Sequence, residues 1–222
     1  MKIISYSLYG NITKYTQGMI KNIKINKNLY PDWINYIYYN TTVPDDIIVE
    51  LSNFDNVKMI DMSHMKIPGM FWRFLPNDDK DIECFIVRDS DSRVTEREVM
   101  AVNEWLNSNK KLHIMRDHPH HNYVILGGMW GIKCDDSFNM MDEISKYNKS
   151  TDLYEKMTDM NFLRDVVYSK FRNNSFVHDS FFNYEKWSKK FPIDLDDYKF
   201  VGEIYNDDDS REYQYTLLKN KK

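Results

Sequence analysis

The sequence predicts an α/β fold in which a mostly parallel sheet is flanked by helices. Three observations lead there. Short apolar runs alternate with amphipathic helical stretches through the first half of the chain, as βαβ units require. An acidic cluster falls directly between one such run and a helix start, and glycines sit at the points where apolar runs end. In open sheets of this kind, ligands bind outside the carboxyl ends of the strands, so those junctions are where chemistry is sought.

In chain order, Lys2 to Ser7 is a buried first strand, and Gly10 turns it into a helix over 11–26. Ile12, Tyr15, Met19 and Ile23 recur there at steps of three and four. The aromatic run Trp33 to Tyr39 favours a strand and is closed by Thr41 and Thr42. Pro44 opens a helix reaching Leu51, because proline is tolerated in a first turn. Val57 to Ile60 is a third strand. Ile82 to Val87 is a fourth, ending abruptly in Arg88-Asp89-Ser90-Asp91-Ser92-Arg93. Thr95-Glu96-Arg97-Glu98 then matches a capping box, with Val99, Val102 and Leu106 as the apolar helix face. Leu112 to Met115 and Tyr123 to Leu126 are expected as two more strands, followed at once by Gly127-Gly128-Met129-Trp130-Gly131. Helical patterning fills 138–171, and Tyr198 to Ile204 with Glu212 to Leu218 suggests a hairpin turning around Asn206 to Ser210.

Composition limits the function classes. The 222 residues are 42% hydrophobic and 15% aromatic, enough for one substantial core. No repeat, linker or composition break divides them, so residues 1–222 are expected to form one domain. The net charge is -4, and no Lys/Arg stripe occurs outside Lys219, Lys221 and Lys222, which argues against a nucleic-acid partner. Cys84 and Cys134 form no C-x-x-C pattern, so neither a disulfide framework nor a cysteine zinc site is indicated. The N-terminal apolar run is too short for a signal peptide, and no stretch approaches the roughly 18 apolar residues of a membrane span. A cytoplasmic location is therefore expected.

Asp-x-Asp is a weak motif by itself: with 24 Asp in the chain, chance gives about 2.6 occurrences, and four are present. Three of them, Asp79/Asp81, Asp194/Asp196 and Asp207/Asp209, lie in polar stretches that read as solvated loops. Only Asp89/Asp91 directly follows an apolar strand. Two carboxylates there suit a hard, oxygen-seeking cation such as Mn²⁺ or Mg²⁺, which would offset charge growing on a departing diphosphate. A plain turn before the Thr95 helix, whose start also attracts anions, is the competing reading.

Residues 85–93, Phe85-Ile86-Val87-Arg88-Asp89-Ser90-Asp91-Ser92-Arg93, together with Glu96-Arg97-Glu98, Ala101-Val102 and Glu104-Trp105-Leu106, resemble a small family of GT-A glycosyltransferases found in large DNA viruses of algae and amoebae. The resemblance continues through His113-Ile114-Met115-Arg116-Asp117-His118-Pro119 and Ile125-Leu126-Gly127-Gly128-Met129-Trp130-Gly131-Ile132-Lys133, and ends near Val177-His178-Asp179-Ser180-Phe181. Ser7-Leu8-Tyr9-Gly10 and Phe71-Trp72-Arg73-Phe74 are similar upstream.

The resemblance implies a single GT-A domain with a Rossmann-like mixed, mostly parallel sheet. It implies a nucleotide-sugar donor, a UDP-sugar above others, and Mn²⁺ or Mg²⁺ on Asp89 and Asp91. His178 is the expected further ligand, an imidazole being acceptable to Mn²⁺ beside carboxylates. Asp159 matches the carboxylate that faces the reacting sugar, although the family pattern has Asp-Gln where this chain has Asp159-Met160; Asp179 and Asp117 are reserves. An inverting enzyme would use such a carboxylate as general base, and a retaining one would use it to position the sugar.

Contacts to the nucleotide-sugar are expected from Ser7, Leu8, Tyr9, Gly10, Arg73, Arg88, Asp89, Ser90, Arg93 and His118. Gly127 and Gly128 let backbone approach a ligand, and Met129-Trp130 offers an apolar face to a sugar ring. The acceptor is expected to be a hydroxyl on a glycan, glycoprotein or lipid-linked glycan, encountered in host cytoplasm if the source is viral. Two alternatives stay open. A sugar nucleotidyltransferase would need a basic glycine-rich phosphate loop after the first strand, where Ser7 to Gly10 offers a single glycine and the first lysine is Lys14. A non-catalytic carbohydrate-binding module on the same fold would leave Asp89 and Asp91 without purpose.

Overall fold

The computed structural model describes residues 1–134 and 136–219, so Lys221 and Lys222 of the basic tail lie outside the described residues. Its strands are β1 (Lys2–Leu8), β2 (Ile34–Tyr39), β3 (Val57–Asp61), β4 (Cys84–Val87), β5 (Leu112–Arg116), β6 (Trp130–Lys133) and β7 (Ser175–Asp179). They form one sheet in the order β3-β2-β1-β4-β6-β5-β7. β1 pairs parallel with β2 and β4, β2 with β3, and β5 with β7. β6 runs antiparallel to both β4 and β5, and these two reversals bring β5 and β7 back into the direction of β1 to β4. Six strands therefore end at one edge of the sheet.

Side chains on a strand alternate between faces, and the core follows that rule. Ile4, Tyr6 and Leu8 of β1 and Ile86 of β4 pack against Met19 and Ile23 of α1 (Thr13–Leu29), Ile47 and Leu51 of α2 (Asp45–Ser52), and Val102 and Trp105 of α4 (Glu96–Leu106). On the other face, Ile3, Phe85 and Val87 meet Phe71 of α3 (Gly69–Trp72), Ile144 of α5 (Met140–Tyr147) and Phe162 of α6 (Thr158–Phe162). Aromatic rings fill this second layer: Trp130 lies 5.4 Å from Phe74 and 5.6 Å from Phe85, edge to face. Thr95 caps α4 by accepting from the Glu98 N–H, as its capping-box pattern requires.

Three expectations change. Residues 123–126 form no strand; the Val124 carbonyl accepts from the Arg116 guanidinium, and the ladder partner of β4 and β5 is β6. Gly131 explains the position of β6, since a Cβ there would stand 2.8 Å from both the Phe85 carbonyl oxygen and Ile86 Cγ2. Helix does not fill 138–171: α5 ends at Tyr147, and helix resumes only at Thr158, running through a π-helical stretch, Leu163–Tyr168, into α7 (Ser169–Phe171). The C-terminal hairpin shrinks to a Tyr205–Arg211 bridge, closed by Asn206 N–H to Ser210 O at 2.9 Å. Beyond it the chain turns helical, in a 3₁₀ turn, Tyr213–Tyr215, and α8 (Thr216–Lys219). Among the described residues, no helix is long and apolar enough to cross a membrane.

Candidate functional site

A cavity of about 740 Å³ opens at the carboxyl edge of the sheet. Its floor is the end of β1 and the turn beyond, Ser7 to Gly10, together with the loop after β4, Asp89 to Asp91. Leu126 to Met129, on the approach to β6, form one wall, and Lys156, Met157, Asp159 and Met160 form another. Gly202, Ile204 and Gln214 close the C-terminal side, and His120 and His121 reach it from the loop after β5.

At its centre Arg73 stands between two carboxylates. Its guanidinium donates to Asp89 and, at 3.3 Å, to Asp159 Oδ2, while its backbone N–H is fixed by Ser7 Oγ at 3.1 Å. Glycine is needed at both positions beneath this group. A Cβ on Gly128 would run into the Asp89 carboxylate, and one on Gly127 would lie 2.7 Å from Arg73 Nη2 and 2.9 Å from Asp159 Oδ2. Asp91 faces Lys14 of α1, Nζ to Oδ2 at 3.6 Å, and Lys14 also holds Glu212 at 2.7 Å. Burial, followed by the charge of Asp89, pushes the Asp91 carboxyl from 3.8 up to about 6, with Lys14 pulling the other way. Met157 enters α6 with a left-handed backbone, φ 66°, a conformation that non-glycine residues hold only where the surroundings enforce it.

These residues fit a dication. Among the described residues, no group of three or more His, Cys, Asp or Glu is arranged to hold a metal. An ion at Asp89 and Asp91 would therefore have two protein carboxylates and would draw its other ligands from phosphate and water, which is how Mg²⁺-type ions are usually bound. Two adjacent carboxylates, one of them with its ionised form disfavoured, supply the electrostatic demand for such a charge.

Of the residues expected at the site, the structure brings together Ser7, Leu8, Tyr9, Gly10, Arg73, Asp89, Ser90, Asp91, Gly127, Gly128, Met129 and Asp159. The other seven expected residues lie outside the cavity lining, each with partners elsewhere. Arg88 is buried, with Nε on Glu98 at 2.6 Å and Nη1 on the Val87 carbonyl at 2.7 Å. Arg93 turns to Asp209 at 3.0 Å and the Ser92 carbonyl at 2.8 Å. Trp130 is core. His118 stacks on Phe200 at 4.4 Å and meets the Gln214 carbonyl at 3.0 Å, so it props the wall and does not face the cavity.

Asp117 takes the Arg97 fork at 2.7 and 2.8 Å and the Val201 N–H at 3.0 Å. Burial raises the Asp179 carboxyl, but the N–H groups of Phe182 and Phe181 and then Arg116 outweigh it and hold the group below its usual range. Both carboxyl groups lie outside the cavity lining. His178, expected on the ion, has both ring nitrogens occupied, by His113 Nε2 and Glu104 Oε2, each at 2.9 Å. Burial keeps it neutral against the pull of Glu104.

Sequence reading missed Lys14, Met70, Lys156, Met157, Gly202 and Gln214. No local pattern marks them; they join the site through contacts between distant segments.

The seven-stranded, mostly parallel sheet with its helical layers is the GT-A, Rossmann-like fold of glycosyltransferases. The chain is similar to the galactosyltransferase LgtC, solved with donor and acceptor sugar analogues, with TM-score 0.55 and 12% identity over 80% of this chain and 73% of that one. The mannosyltransferase PcManGT from Pyrobaculum calidifontis, solved with GDP-Man and Mn²⁺, gives TM-score 0.51 and 8% identity over 81% of this chain and 55% of that one. A glycosyltransferase involved in glycosylating the major capsid of PBCV-1 gives TM-score 0.49 and 16% identity over 80% and 81%. The sequence matches no protein-family model and no curated protein. At these identities the likeness to LgtC and PcManGT shows the fold.

Proposed function

We propose that this protein is a metal-dependent glycosyltransferase moving a monosaccharide from a nucleotide-diphosphate sugar, a UDP-sugar above others, to a hydroxyl of a glycan or glycoconjugate. The observation that carries the reading is the meeting of Asp89, Asp91, Arg73 and Asp159 in one cavity of about 740 Å³, within the size range of small-molecule and cofactor sites. Mn²⁺ or Mg²⁺, when bound, supplies Lewis-acid neutralisation of the leaving diphosphate. Asp89 and Asp91 hold that charge in place. Arg73 adds a fixed positive charge beside them and orients Asp159.

Asp159 is the lining carboxylate not committed to the ion. It accepts the acceptor proton if the reaction inverts and steadies the sugar if it retains. Tyr9, half-exposed and set edge-on against Trp72 at 5.9 Å, offers a ring to the nucleobase. The resemblance of 85–93 and 125–133 to the glycosyltransferases of large DNA viruses supports the same reading.

The experiment is a thermal-shift panel of UDP-, GDP- and dTDP-sugars with and without Mn²⁺, joined to chromatography of the nucleotide products. One donor class is expected to stabilise the protein only with metal and to release nucleoside diphosphate, release that Asp159→Asn slows without loss of donor binding. Pyrophosphate release from a nucleoside triphosphate and a sugar 1-phosphate would instead identify a nucleotidyltransferase.

A further inference from the structure

The loop that carries the two aspartates has its backbone oxygens bound away from the cavity. Asp89 O accepts from Ser92 N–H at 3.3 Å and Ser92 Oγ at 2.9 Å. Asp91 O accepts from Tyr205 N–H at 2.8 Å, and Ser92 O from Arg93 at 2.8 Å. Ser90 O accepts from Asn22 Nδ2 at 3.1 Å and from Arg93 Nη1 at 3.3 Å, and the Asn22 amide also lies 3.5 Å from Asp89 O. Each of these carbonyls therefore already has a donor, and the carboxylates of Asp89 and Asp91 are the loop's anionic groups for the cavity.

Asn22 sits on α1 and is 1% exposed. Its Oδ1 finds no partner among the described residues, and the reverse amide orientation would set that oxygen against two carbonyl oxygens. The amide's hydrogen bonding therefore goes wholly to the aspartate loop. One turn earlier on the same helix face stands Gly18, where a Cβ would run into the Ser90 carbonyl oxygen. Gly18 lets the loop settle on the helix and Asn22 grips it there.

We infer that Gly18 and Asn22 are positioning residues that set the aim of Asp89 and Asp91, and so the affinity of the site for its divalent cation; this rests on the function proposed above. Outer partners that orient metal-binding groups typically contribute about tenfold to hundredfold in metal affinity, and Asn22 is such a partner acting through backbone.

The test is Mn²⁺ binding in the presence of UDP, followed by the electron paramagnetic resonance of free Mn²⁺, for wild type, Asn22→Leu, Asn22→Ser, Gly18→Ala and Asn26→Leu. Asn26 is the matched control: it is buried on the same helix and its amide donates to Tyr6 and Asn35 at 2.9 and 2.7 Å, with no hydrogen bond to the loop among the described residues. Asn22→Leu and Gly18→Ala are expected to raise the Kd for Mn²⁺ about tenfold or more, with turnover restored by excess Mn²⁺. Asn26→Leu is expected to lower the melting temperature without moving that Kd. Asn22→Ser, a smaller change, serves if Asn22→Leu fails to fold. Equal Kd values for wild type and the folded Asn22 variant overturn the inference alone. A wild-type protein that binds no Mn²⁺ with UDP overturns the proposed metal site and this inference with it.

Discussion

The ionisation of Asp91 ties the metal reading to a pH dependence that can be measured. Burial and the neighbouring Asp89 charge raise its carboxyl from 3.8 to about 6, against the pull of Lys14 at 3.6 Å. A rise of about two units means that about 3 kcal/mol disfavours the ionised form in metal-free protein. Since a dication binds the carboxylate, it must displace a proton below that pKa. The apparent affinity for Mn²⁺ is therefore expected to be flat above pH 6 and to fall about tenfold for each unit below it.

The sign for stability is the reverse of a salt-bridged aspartate. The folded pKa exceeds the unfolded one, so folding favours the protonated form, and this group's contribution rises as pH falls from above 6 towards 4. Bound Mn²⁺ removes that gain by keeping Asp91 ionised. Mn²⁺ alone, with no nucleotide phosphate to titrate, is the right probe, measured at pH 5 and 7.5. Calorimetry in buffers of different ionisation enthalpy should show proton release at the lower pH and none at the higher. Equal affinities at the two values, with no proton released at either, would refute the reasoning.

Glu98→Gln leaves the Arg88 guanidinium buried without a counter-charge, both side chains being 2% exposed in the native pair. A loss of about 3–5 kcal/mol is expected in urea denaturation, with donor binding unchanged. A loss confined to donor affinity would return Arg88 to the site. His178→Asn is expected to lower the melting temperature by breaking the His113 and Glu104 contacts, while the Kd for Mn²⁺ stays fixed. A marked rise in that Kd would make His178 a ligand after all.

The Asp89/Asp91 pair was legible because its signal is local. A strand of uniformly apolar residues stops, acids follow, and a capping threonine starts a helix within ten positions. The arginines show the opposite case. Arg73, Arg88 and Arg93 are the same residue type, yet their partners are Asp89 and Asp159, Glu98, and Asp209 respectively. Only the first guanidinium lines the cavity. His178 and Asp179 were expected at the site on the resemblance alone, and β7 buries both beside charged partners from other elements.

By itself the chain determined strands β1 to β4, helices α1, α2 and α4, the capped start of α4 and the acidic loop before it. Each of those depends on side-chain periodicity or on hydrogen bonds between residues a few positions apart. Tertiary structure alone decided that β6 and not 123–126 enters the sheet, that the C-terminal segment walls the cavity, and that Lys14 stands against Asp91. Those outcomes depend on which groups remain unpaired when segments many tens of residues apart are pressed together, and no local pattern encodes that competition.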